Sequence, residues 1–471
     1  MRLADLAGIG GDSRVTGFAI DHRKVAPGTV FGAFRGSVFN GEDFIPQAIG
    51  AGAVAVVARP DVPVSGAAHV AADEPRREFA RLAAKFFEPF PDTVVAVTGT
   101  NGKTSSVELT RQLWRMAGHH AASIGTLGVT TADDRATTGL TTPDIVTFLS
   151  NMAGLAREGV THAAFEASSH GLSQYRTEGL AVRAAAFTNL TRDHLDYHQT
   201  MEAYFEAKMR LFEEVVEPGG AAVIWSDDPR SSDVARRAGA RGLRLLTVGR
   251  SGEALRLAGR EPTQLGQRLL IEAEGKPHKV ELPLIGAYQA ANALTAAGLV
   301  LATGGELGAV LASLARVQGV RGRLERAVIT RAGAPVYVDY AHTPDAIEAA
   351  IEALRPHSKG RLIIVFGAGG DRDVGKRAQM GAVAARLADL VIVTDDNPRS
   401  EDPAAIRRDV LEGGPEAIEV PGRRDAIAAA VAQAGADDII LLAGKGHEQG
   451  QIVGDRVLPF DDVTVARECA A

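Results

Sequence analysis

The chain has 471 residues, more than one hydrophobic core usually organises, so its length predicts about two to four domains. Its composition, 45% apolar and 23% charged, is typical of a folded globular protein and excludes a disordered or fibrous one. The formal net charge of -7 and the aromatic content of 5% argue against nucleic acid or an anionic membrane as a partner. Any phosphate group must therefore be bound locally.

Cysteine usage and hydropathy indicate the compartment. Cys469 is the single cysteine, which allows no intramolecular disulfide and no cluster of thiolate metal ligands. The N-terminus, MRLADLAGIGGD, lacks the basic start and apolar run of a signal peptide, and no stretch of about 18 apolar residues occurs. These features predict a cytoplasmic protein.

Residues 1–88 are predicted to form a first, small domain. The strand-like runs VFGAF and AVAVVA lie within it, and the segment FEPFPD marks its end. Because these residues contain no obvious catalytic cluster, we interpret the domain as a binding module.

Residues 89–318 have the pattern of a mostly parallel sheet covered by helices. The run TVVAVTG from Thr93 predicts a buried strand, and the helical pattern SSVELTRQLWRMAG follows it. Further candidate strands are HAAFEAS, AAAFTNL and AAVIWSD, and a polar turn follows each of them.

Residues 319–471 begin within the segment QGVRGRLE and are predicted to form a second α/β series. Its candidate strands are PVYVDY, RLIIVFGAG, DLVIVTDD and DIILLAGKG, and they end in the polar segments DYAHTPD, GAGGDRD, DDNPR and GKGHE. Because parallel strands present their carboxyl ends at one edge of a sheet, we expect the polar chemistry of this domain to gather there. The predicted fold class is α/β throughout.

A glycine-containing loop follows the strand from Thr93 and opens the next helix. Its residues are Gly99, Thr100, Asn101, Gly102, Lys103, Thr104 and Ser105. Main-chain N–H groups in such a loop converge on phosphate oxygens, Lys103 supplies positive charge, and Thr104 can face Mg²⁺. The loop departs from the commoner G-x4-G-K-[ST] pattern, because Val97 stands where the first glycine would be. An ordinary strand-to-helix turn is the alternative, but the flanking strand and helix favour nucleotide binding.

Two side chains near these strand ends are candidates for binding a metal ion, and the helical pattern that follows contains a lysine at an apolar position. Glu166 ends one predicted strand and suits Mg²⁺, and His194 follows the next strand and could complete a second site, although an isolated histidine is more often structural. Lys208 falls on the apolar stripe of the helical pattern MEAYFEAKMRLFEEVV, which Met201, Tyr204, Leu211, Phe212 and Val215 define. Its alternatives are an apolar stem that reaches solvent and a buried functional lysine.

The motifs GTNGKTS, TTPD, EASSHGL, NLTRDHLDYH, YFEAKMRLF, VRGRLE, VDYAHTPDA, GAGGDRDVGKR, DDNPR and GKGHE occur together, and the set resembles the Mur ligase family from about residue 20 to 467. The resemblance implies an N-terminal α/β module for a uridine nucleotide, a central P-loop ATPase and a C-terminal Rossmann-like domain for an incoming amino acid. It implies an ATP-dependent amide ligase of cytoplasmic peptidoglycan precursor synthesis. We expect it to act as a monomer on small-molecule substrates.

The resemblance also assigns residues to the ATP and metal sites. It places the ATP phosphates on Gly99 to Ser105, further nucleotide contacts on Asn292, Arg323 and Asp339, and His342 close by in the same pocket. It places Mg²⁺ on Thr104, Glu166, His194 and a carbamate that CO₂ forms on Lys208. Lys103, Lys208 and His194 are the expected catalytic residues.

The other two substrates are assigned in the same way. The UDP-N-acetylmuramoyl dipeptide would contact Ile20, His22, Ser37, Val38, Phe39, Thr141, Thr142, Ser168, Gln174 and Arg176, with Asp21 and Arg23 also at the uridine end. The incoming amino acid would contact Arg372, Asp396, Asn397, Pro398, Arg399, Gly444 and Glu448. We expect that amino acid to be meso-diaminopimelate, because Arg399 can bind a second carboxylate, which lysine lacks.

The sequence departs from the family pattern at two places, and alternative functions remain to be considered. The family usually has Ser at His22 and an aromatic-Asn pair where Gly286 to Gln289 runs. A lysine-adding homologue and a ligase resembling folylpolyglutamate synthetase are the enzymatic alternatives, and a nucleotide-sensing module without catalysis is the other. A dehydrogenase is excluded, because Arg372 stands where G-x-G-x-x-G needs its third glycine.

Overall fold

A computed structural model of the chain describes residues 1–36, 39–131, 135–136, 141–263 and 266–471. Two residues assigned above to the uridine nucleotide, Ser37 and Val38, lie outside this description. The chain divides into two compact units, residues 1–256 with 294–310, and residues 257–293 with 311–471. The predicted domain boundaries at 88 and 318 stay predictions. Among the described helices, none is long and apolar enough to cross a membrane.

The first unit alternates strands and helices. Its helices are α1 (Leu3–Ala7), α2 (Ile45–Gly50), α3 (Pro75–Phe87), α4 (Lys103–Met116), α5 (Ile145–Arg157), α6 (Ser169–Ser173), α7 (Leu195–His198), α8 (Met201–Arg210) and α9 (Ser231–Ala240). Its strands are β1 (Gly17–Ala19), β2 (Thr29–Gly32), β3 (Ala53–Ala58), β4 (Ala68–Ala71), β5 (Thr93–Thr98), β6 (Ala121–Gly125), β7 (Gly128–Thr130), β8 (Arg135–Ala136), β9 (His162–Glu166), β10 (Val182–Phe187), β11 (Val216–Trp225) and β12 (Arg244–Gly249). The strand β13 (Leu255–Thr263) begins in this unit and continues into the second.

The second unit has the same alternating pattern. Its helices are α10 (Ala287–Ala302) and α11 (Leu307–Leu314), which both cross a division between the units, α12 (Pro344–Leu354), α13 (Gly375–Leu387), α14 (Pro403–Leu411), α15 (Arg423–Gln433) and α16 (Asp462–Ala470). Its strands are β14 (Gly266–Ala273), β15 (Lys276–Leu282), β16 (Glu325–Ile329), β17 (Pro335–Asp339), β18 (Leu362–Phe366), β19 (Leu390–Val393), β20 (Ile418–Glu419), β21 (Ile439–Ala443), β22 (Gly450–Val453) and β23 (Arg456–Pro459).

Parallel pairing dominates the sheets, which confirms the predicted α/β class. The first four strands form a parallel sheet in the order β1-β2-β3-β4. In the larger sheet of the first unit the order runs β12-β11-β10-β5-β9-β6-β7-β8, and only the pairs that involve β7 are antiparallel. In the second unit the order is β16-β17-β21-β18-β19-β20, with one antiparallel pair at the β16 edge.

Helices cover both faces of the sheet in the second unit. Alternate residues of β18 point to opposite sides, so Ile364 packs with α12 and α13 while Ile363 and Val365 pack with α15 and α16. Strands buried on both faces read as continuous apolar runs, which is why LIIVF was recognisable as a strand. The polar segments that follow these strands therefore share one edge.

The helix that carries Lys208 differs from its prediction at both ends. Met201 is only half-buried, because it lies in the first turn of α8. The α-helix ends at Arg210, and a π-helical turn covers Leu211–Val215 before β11 begins at Val216. The wider turn keeps the apolar residues Leu211, Phe212 and Val215 in the core.

Candidate active site

The predicted phosphate loop connects β5 to α4 through two glycines with positive φ. Gly99 has φ +145°, and a Cβ atom there would lie 1.9 Å from the hydroxyl oxygen of Thr188. Gly102 has φ +87° and immediately precedes the first residue of α4, Lys103. The free N–H groups of a helix N-terminus favour a bound anion. The loop thus has the backbone that phosphate binding requires.

A second segment, Thr188 to Thr191 after β10, fixes the conformation of this loop. The side chain of Asn189 accepts a hydrogen bond from the Asn101 N–H at 2.9 Å and donates one to the Asn101 carbonyl at 3.1 Å. Thr188 donates to the same carbonyl at 2.6 Å, and the Thr191 N–H donates to the Thr100 hydroxyl at 3.0 Å. The sequence did not single out Asn189, whose only signal was its place in the NLTRDH motif.

Two lysines meet at the carbonyl of Gly99. Lys103 Nζ donates to the Gly99 and Thr100 carbonyls at 2.9 and 2.7 Å, and Lys208 Nζ donates to the Gly99 carbonyl at 2.8 Å. Lys208 is 1% exposed, and its ammonium lies 4.2 Å from the centre of the Tyr204 ring. Burial, and secondarily the charge of Lys103, holds the pKa of Lys208 well below its ordinary value. The alternative of a stem that reaches solvent is therefore wrong.

Glu166 lies at the end of β9 in a pocket that a glycine opens. It is 2% exposed, and a Cβ atom on Gly125 would lie 2.1 Å from its carboxylate. The Thr126 N–H donates to Oε1 at 2.7 Å and the Thr126 hydroxyl to Oε2 at 3.2 Å, so both oxygens are oriented. An oriented carboxylate beside a phosphate loop has the donor chemistry that Mg²⁺ prefers.

Five of the residues assigned to the sugar peptide form one hydrogen-bonded network with Glu166. The Thr142 hydroxyl donates to the Glu166 carbonyl at 2.7 Å and accepts from the Ser168 N–H at 3.1 Å. Arg176 donates to the Thr142 carbonyl at 2.9 Å and to Gln174 Oε1 at 2.7 Å. The Thr141 and Thr126 hydroxyls lie 3.1 Å apart. The structure thus brings five sequence-predicted residues together beside the candidate metal ligand.

His194 lies in a cluster of aromatic rings. Its φ of +53° is unusual for a residue other than glycine, and its side chain is about half-exposed. The ring centres of His170 and Tyr204 lie 4.8 and 6.2 Å from that of His194. Within the described part of the chain, no group of three or more His, Cys, Asp or Glu side chains could hold a metal ion. The Mg²⁺ ligands assigned above stay a prediction.

The residues assigned to the uridine end lie in the first 44 residues. The His22 ring stacks on the Phe44 ring at 4.4 Å with a 2° interplanar angle, so the histidine that departs from the family pattern has a fixed position. Ile20 is exposed, and Phe39 is 73% exposed, whereas phenylalanine side chains are usually buried. These exposed apolar side chains are available for a ligand.

In the second unit, Gln289 links two residues assigned to the nucleotide. The Gln289 amide accepts a hydrogen bond from Asn292 at 3.1 Å and donates one to the Arg323 carbonyl at 3.0 Å. The second departure from the family pattern therefore retains an organised amide. Asp339 accepts from the Leu324 and Ala341 N–H groups at 2.7 and 2.9 Å, and burial raises its pKa to about 6. His342 Nδ1 lies 2.7 Å from the Tyr340 carbonyl oxygen.

The residues assigned to the amino acid lie at the carboxyl ends of β18, β19 and β21. Asn397 donates to Glu448 at 2.8 Å, and Lys445 Nζ donates to both Asn397 Oδ1 and Glu448 Oε2 at 3.2 Å. Asp396 is buried, which raises its pKa, and a Cβ atom on Gly444 would lie 2.5 Å from its carboxylate. Arg399 is half-buried and Arg372 is exposed. Lys445 was missed by the sequence reading, although it stands inside the motif GKGHE.

Comparison with known proteins identifies the family. Residues 14–86 match the description "Mur ligase family, catalytic domain", residues 97–300 match "Mur ligase middle domain", and residues 322–446 match "Mur ligase, glutamate ligase domain". A protein of Zymomonas mobilis is 60% identical over 461 residues, which are 97% of this chain and 95% of that protein. It is named UDP-N-acetylmuramoyl-L-alanyl-D-glutamate--2,6-diaminopimelate ligase, as is a relative from Bradyrhizobium diazoefficiens, 50% identical over 98% of this chain and 97% of its own length. The chain therefore belongs to the Mur ligase family.

Solved structures agree with this assignment. A structure of a UDP-N-acetylmuramoyl-L-alanyl-D-glutamate--2,6-diaminopimelate ligase has a TM-score of 0.75 and 32% identity, and the match covers 100% of this chain and 98% of that one. Folylpolyglutamate synthase from Mycobacterium tuberculosis, complexed with ADP, has a TM-score of 0.63 and 21% identity over 77% of this chain and 89% of its own. The second likeness is one of fold alone.

Proposed function

We propose that the chain is an ATP-dependent amide ligase that adds meso-diaminopimelate to UDP-N-acetylmuramoyl-L-alanyl-D-glutamate. The observation that carries this proposal is the 60% identity, over 97% of the chain, to a relative named for that reaction. The proposed location is the cytoplasm, where ATP and nucleotide sugars are available.

The first unit would carry out phosphoryl transfer from ATP to the D-glutamate carboxylate. The loop from Gly99 to Ser105 would bind the ATP phosphates, with Lys103 offsetting the repulsion between the γ-phosphoryl group and the attacking D-glutamate carboxylate. The network of Thr142, Ser168 and Arg176 would orient that carboxylate beside Glu166. Transfer of the phosphoryl group forms an acyl phosphate and releases ADP.

The metal ligands fit Mg²⁺ in donor chemistry. Glu166 is a buried, oriented carboxylate, and the Thr104 hydroxyl lies in the first turn of α4. A Mg²⁺ ion held by Thr104, Glu166 and His194 would neutralise phosphate charge. Lys208 is suited to carbamate formation, because a buried lysine with a lowered pKa presents the neutral amine that reacts with CO₂. The resulting carboxylate-like oxygens would join the ligand set.

The amine end of the reaction falls to the second unit. Arg399, with help from Arg372, would bind the carboxylate that diaminopimelate has and lysine lacks. Glu448 and Asp396 are acidic groups able to hold an ammonium of the incoming amino acid. The other amine attacks the acyl phosphate through a tetrahedral intermediate, and phosphate leaves.

A phosphate-release assay tests the proposal. The enzyme is incubated with ATP, Mg²⁺ and the uridine dipeptide, together with meso-diaminopimelate, L-lysine or no amino acid. The product is identified by mass spectrometry. We expect release to depend on both the dipeptide and diaminopimelate, with the amide as product. Equal efficiency with lysine, or no loss of selectivity in Arg399→Ala, would overturn the assignment of the acceptor. ATP binding without amide formation under any condition would favour the nucleotide-sensing alternative.

A further inference from the structure

The hairpin formed by β22 and β23 is hydrogen-bonded to the loop that carries Arg399. Gln451 Nε2 donates to the Asp396 carbonyl at 2.6 Å, and the Ile452 N–H donates to Asn397 Oδ1 at 2.9 Å. The Arg399 N–H donates to the Ile452 carbonyl at 3.0 Å, and the Gly454 N–H donates to the Arg399 carbonyl at 2.7 Å. The loop is therefore held from one side by a segment about fifty residues further along the chain.

These contacts hold Arg399 in a conformation that it would not adopt alone. Its φ is +52°, in the left-handed region, where a residue with a side chain is strained. Both of its main-chain polar groups are paired with the hairpin, at Ile452 and Gly454. A strained residue persists only where its surroundings determine it. The hairpin is the part of the surroundings that pairs with the Arg399 backbone.

The neighbouring glycine loop completes the arrangement. The guanidinium Nη1 of Arg399 donates to the Gly370 carbonyl at 2.7 Å, and a Cβ atom on Gly370 would lie 1.9 Å from the Pro398 carbonyl. The guanidinium makes no other hydrogen bond to the residues that the structure describes. Its remaining N–H groups are thus available for a carboxylate, while its backbone is fixed from the other side.

We propose that the β22–β23 hairpin determines the selectivity of the enzyme for diaminopimelate, with Gln451 as a positioning residue that sets Arg399 through the Asp396 carbonyl and the loop behind it. This inference rests on the proposed function. Gln451 does not itself touch the substrate. It fixes the main chain at the start of the segment from Asp396 to Arg399. The Arg399 guanidinium is then already in position when diaminopimelate binds, so its ordering adds little entropy cost to binding.

The test compares two glutamines that each donate a hydrogen bond to a main-chain carbonyl of this unit. Gln451→Met removes the bond to the Asp396 carbonyl with little change in volume, and Gln433→Met removes an exposed bond to the Ala429 carbonyl within α15. The KM values for ATP, the uridine dipeptide and meso-diaminopimelate are measured by steady-state kinetics. The same measurement is made with L-lysine as the alternative acceptor. Thermal unfolding of each variant is measured in parallel.

For Gln451→Met we expect the KM for diaminopimelate to rise about tenfold, as loss of one hydrogen bond at a site allows, with kcat and the KM values for ATP and the dipeptide within about twofold of wild type. The preference for diaminopimelate over lysine should fall by a similar factor. Gln433→Met should match wild type in every parameter. Gln451→Glu, which keeps the length but cannot donate, should behave like Gln451→Met.

An unchanged KM for diaminopimelate in both Gln451 variants would overturn the inference, as would an equal change in all three KM values. If Gln451→Met unfolds, Gln451→Glu alone decides between these outcomes by the same ratio of KM values. A wild-type enzyme that forms no amide with diaminopimelate would instead contradict the proposed function. The two failures are therefore distinguishable in one experiment.

Discussion

Two lysines are buried among the residues that the structure describes, one in each unit, and their surroundings differ. Lys445 is 0% exposed, and its ammonium donates to a carboxylate, that of Glu448, and to the Asn397 amide. Lys208 is 1% exposed, but its contacts are the neutral Gly99 carbonyl and the face of the Tyr204 ring. The positive charge of Lys103 acts on it more strongly than the negative charge of Asp193. Burying a charge is costly unless it is paired and hydrogen-bonded.

We expect from this difference that Lys445 has a structural role and that Lys208 takes part in the reaction. Lys445 has the contacts of a structural cation, which orients Asn397 and Glu448 in the proposed amino-acid pocket. Lys208 has contacts that do little to stabilise a positive charge, which fits the carbamate proposed above. Substitutions at the two positions should consequently affect different steps of the reaction.

The largest effect is expected next to Lys208, at Lys103. We expect Lys103→Ala to lower kcat by roughly a thousandfold, because its charge opposes repulsion between anions in the transition state. Binding of the uridine dipeptide, measured by calorimetry, should stay near wild type. Lys276→Ala, at an exposed position of β15, serves as the control. Loss of turnover and of dipeptide binding together in a folded Lys103→Ala protein would contradict the division between the sites.

At Lys208 itself, Lys208→Ala should lower kcat by roughly a hundredfold or more, since the carbamate proposed as a metal ligand could no longer form. Acetate should restore part of the activity by entering the vacated space as a surrogate carboxylate, whereas Lys208→Arg should not recover, because a guanidinium stays positive. Rates are measured with and without acetate for both variants. Near-normal activity of Lys208→Ala would end the carbamate hypothesis.

At Lys445, the expected effect is on binding of the amino acid. Lys445→Met should raise the KM for diaminopimelate by about tenfold, because Glu448 and Asn397 lose the cation that orients them. It should leave kcat within a few-fold of wild type and lower the thermal midpoint by several degrees. A kcat loss as large as that of Lys208→Ala would show that the two lysines do not differ as described.

The smallest effect concerns stability and pH at Lys208. Its folded-state pKa lies well below the ordinary value of 10.5, so between these values the unfolded chain binds a proton that the folded chain does not. Stability contributed by this group therefore rises with pH toward 10.5. In metal-free buffer without bicarbonate, Lys208→Met should be more stable than wild type near neutral pH, and the gap should shrink as the pH rises. Urea unfolding at several pH values measures it, and a constant gap would argue against the pKa shift.

The sequence could predict the elements that are continuous along the chain. Buried strands such as LIIVF, the loop from Gly99 to Ser105 and the helix after it all reveal themselves through local pattern. The motif clusters at strand ends followed from the topology of parallel sheets. For that reason the sequence alone was enough to predict the fold class and most residues of the candidate phosphate loop.

The supports of the sites could not be predicted, because they act across long separations. Asn189 is 88 residues from Asn101, Lys445 is 48 from Asn397, and Gln451 is 55 from Asp396. Within its own segment, none of these polar residues stands out from its neighbours. Each meets its distant hydrogen-bond partner only in the folded chain. In the part of the chain that the structure describes, Lys208 is buried without a hydrogen bond to a carboxylate. This is likewise a property of packing that helical periodicity could only suggest.

We propose that the first unit activates the D-glutamate carboxylate as an acyl phosphate, and that the amine of an amino acid bound by the second unit then attacks it. The most direct measurement uses the uridine dipeptide with ¹⁸O in its D-glutamate carboxylate, together with ATP, Mg²⁺ and meso-diaminopimelate, and mass spectrometry of the released phosphate. Because the carboxylate oxygen that takes the phosphoryl group leaves with it, each phosphate should carry one ¹⁸O and appear in step with the amide product. Unlabelled phosphate, or labelled phosphate without the amide, would contradict the account.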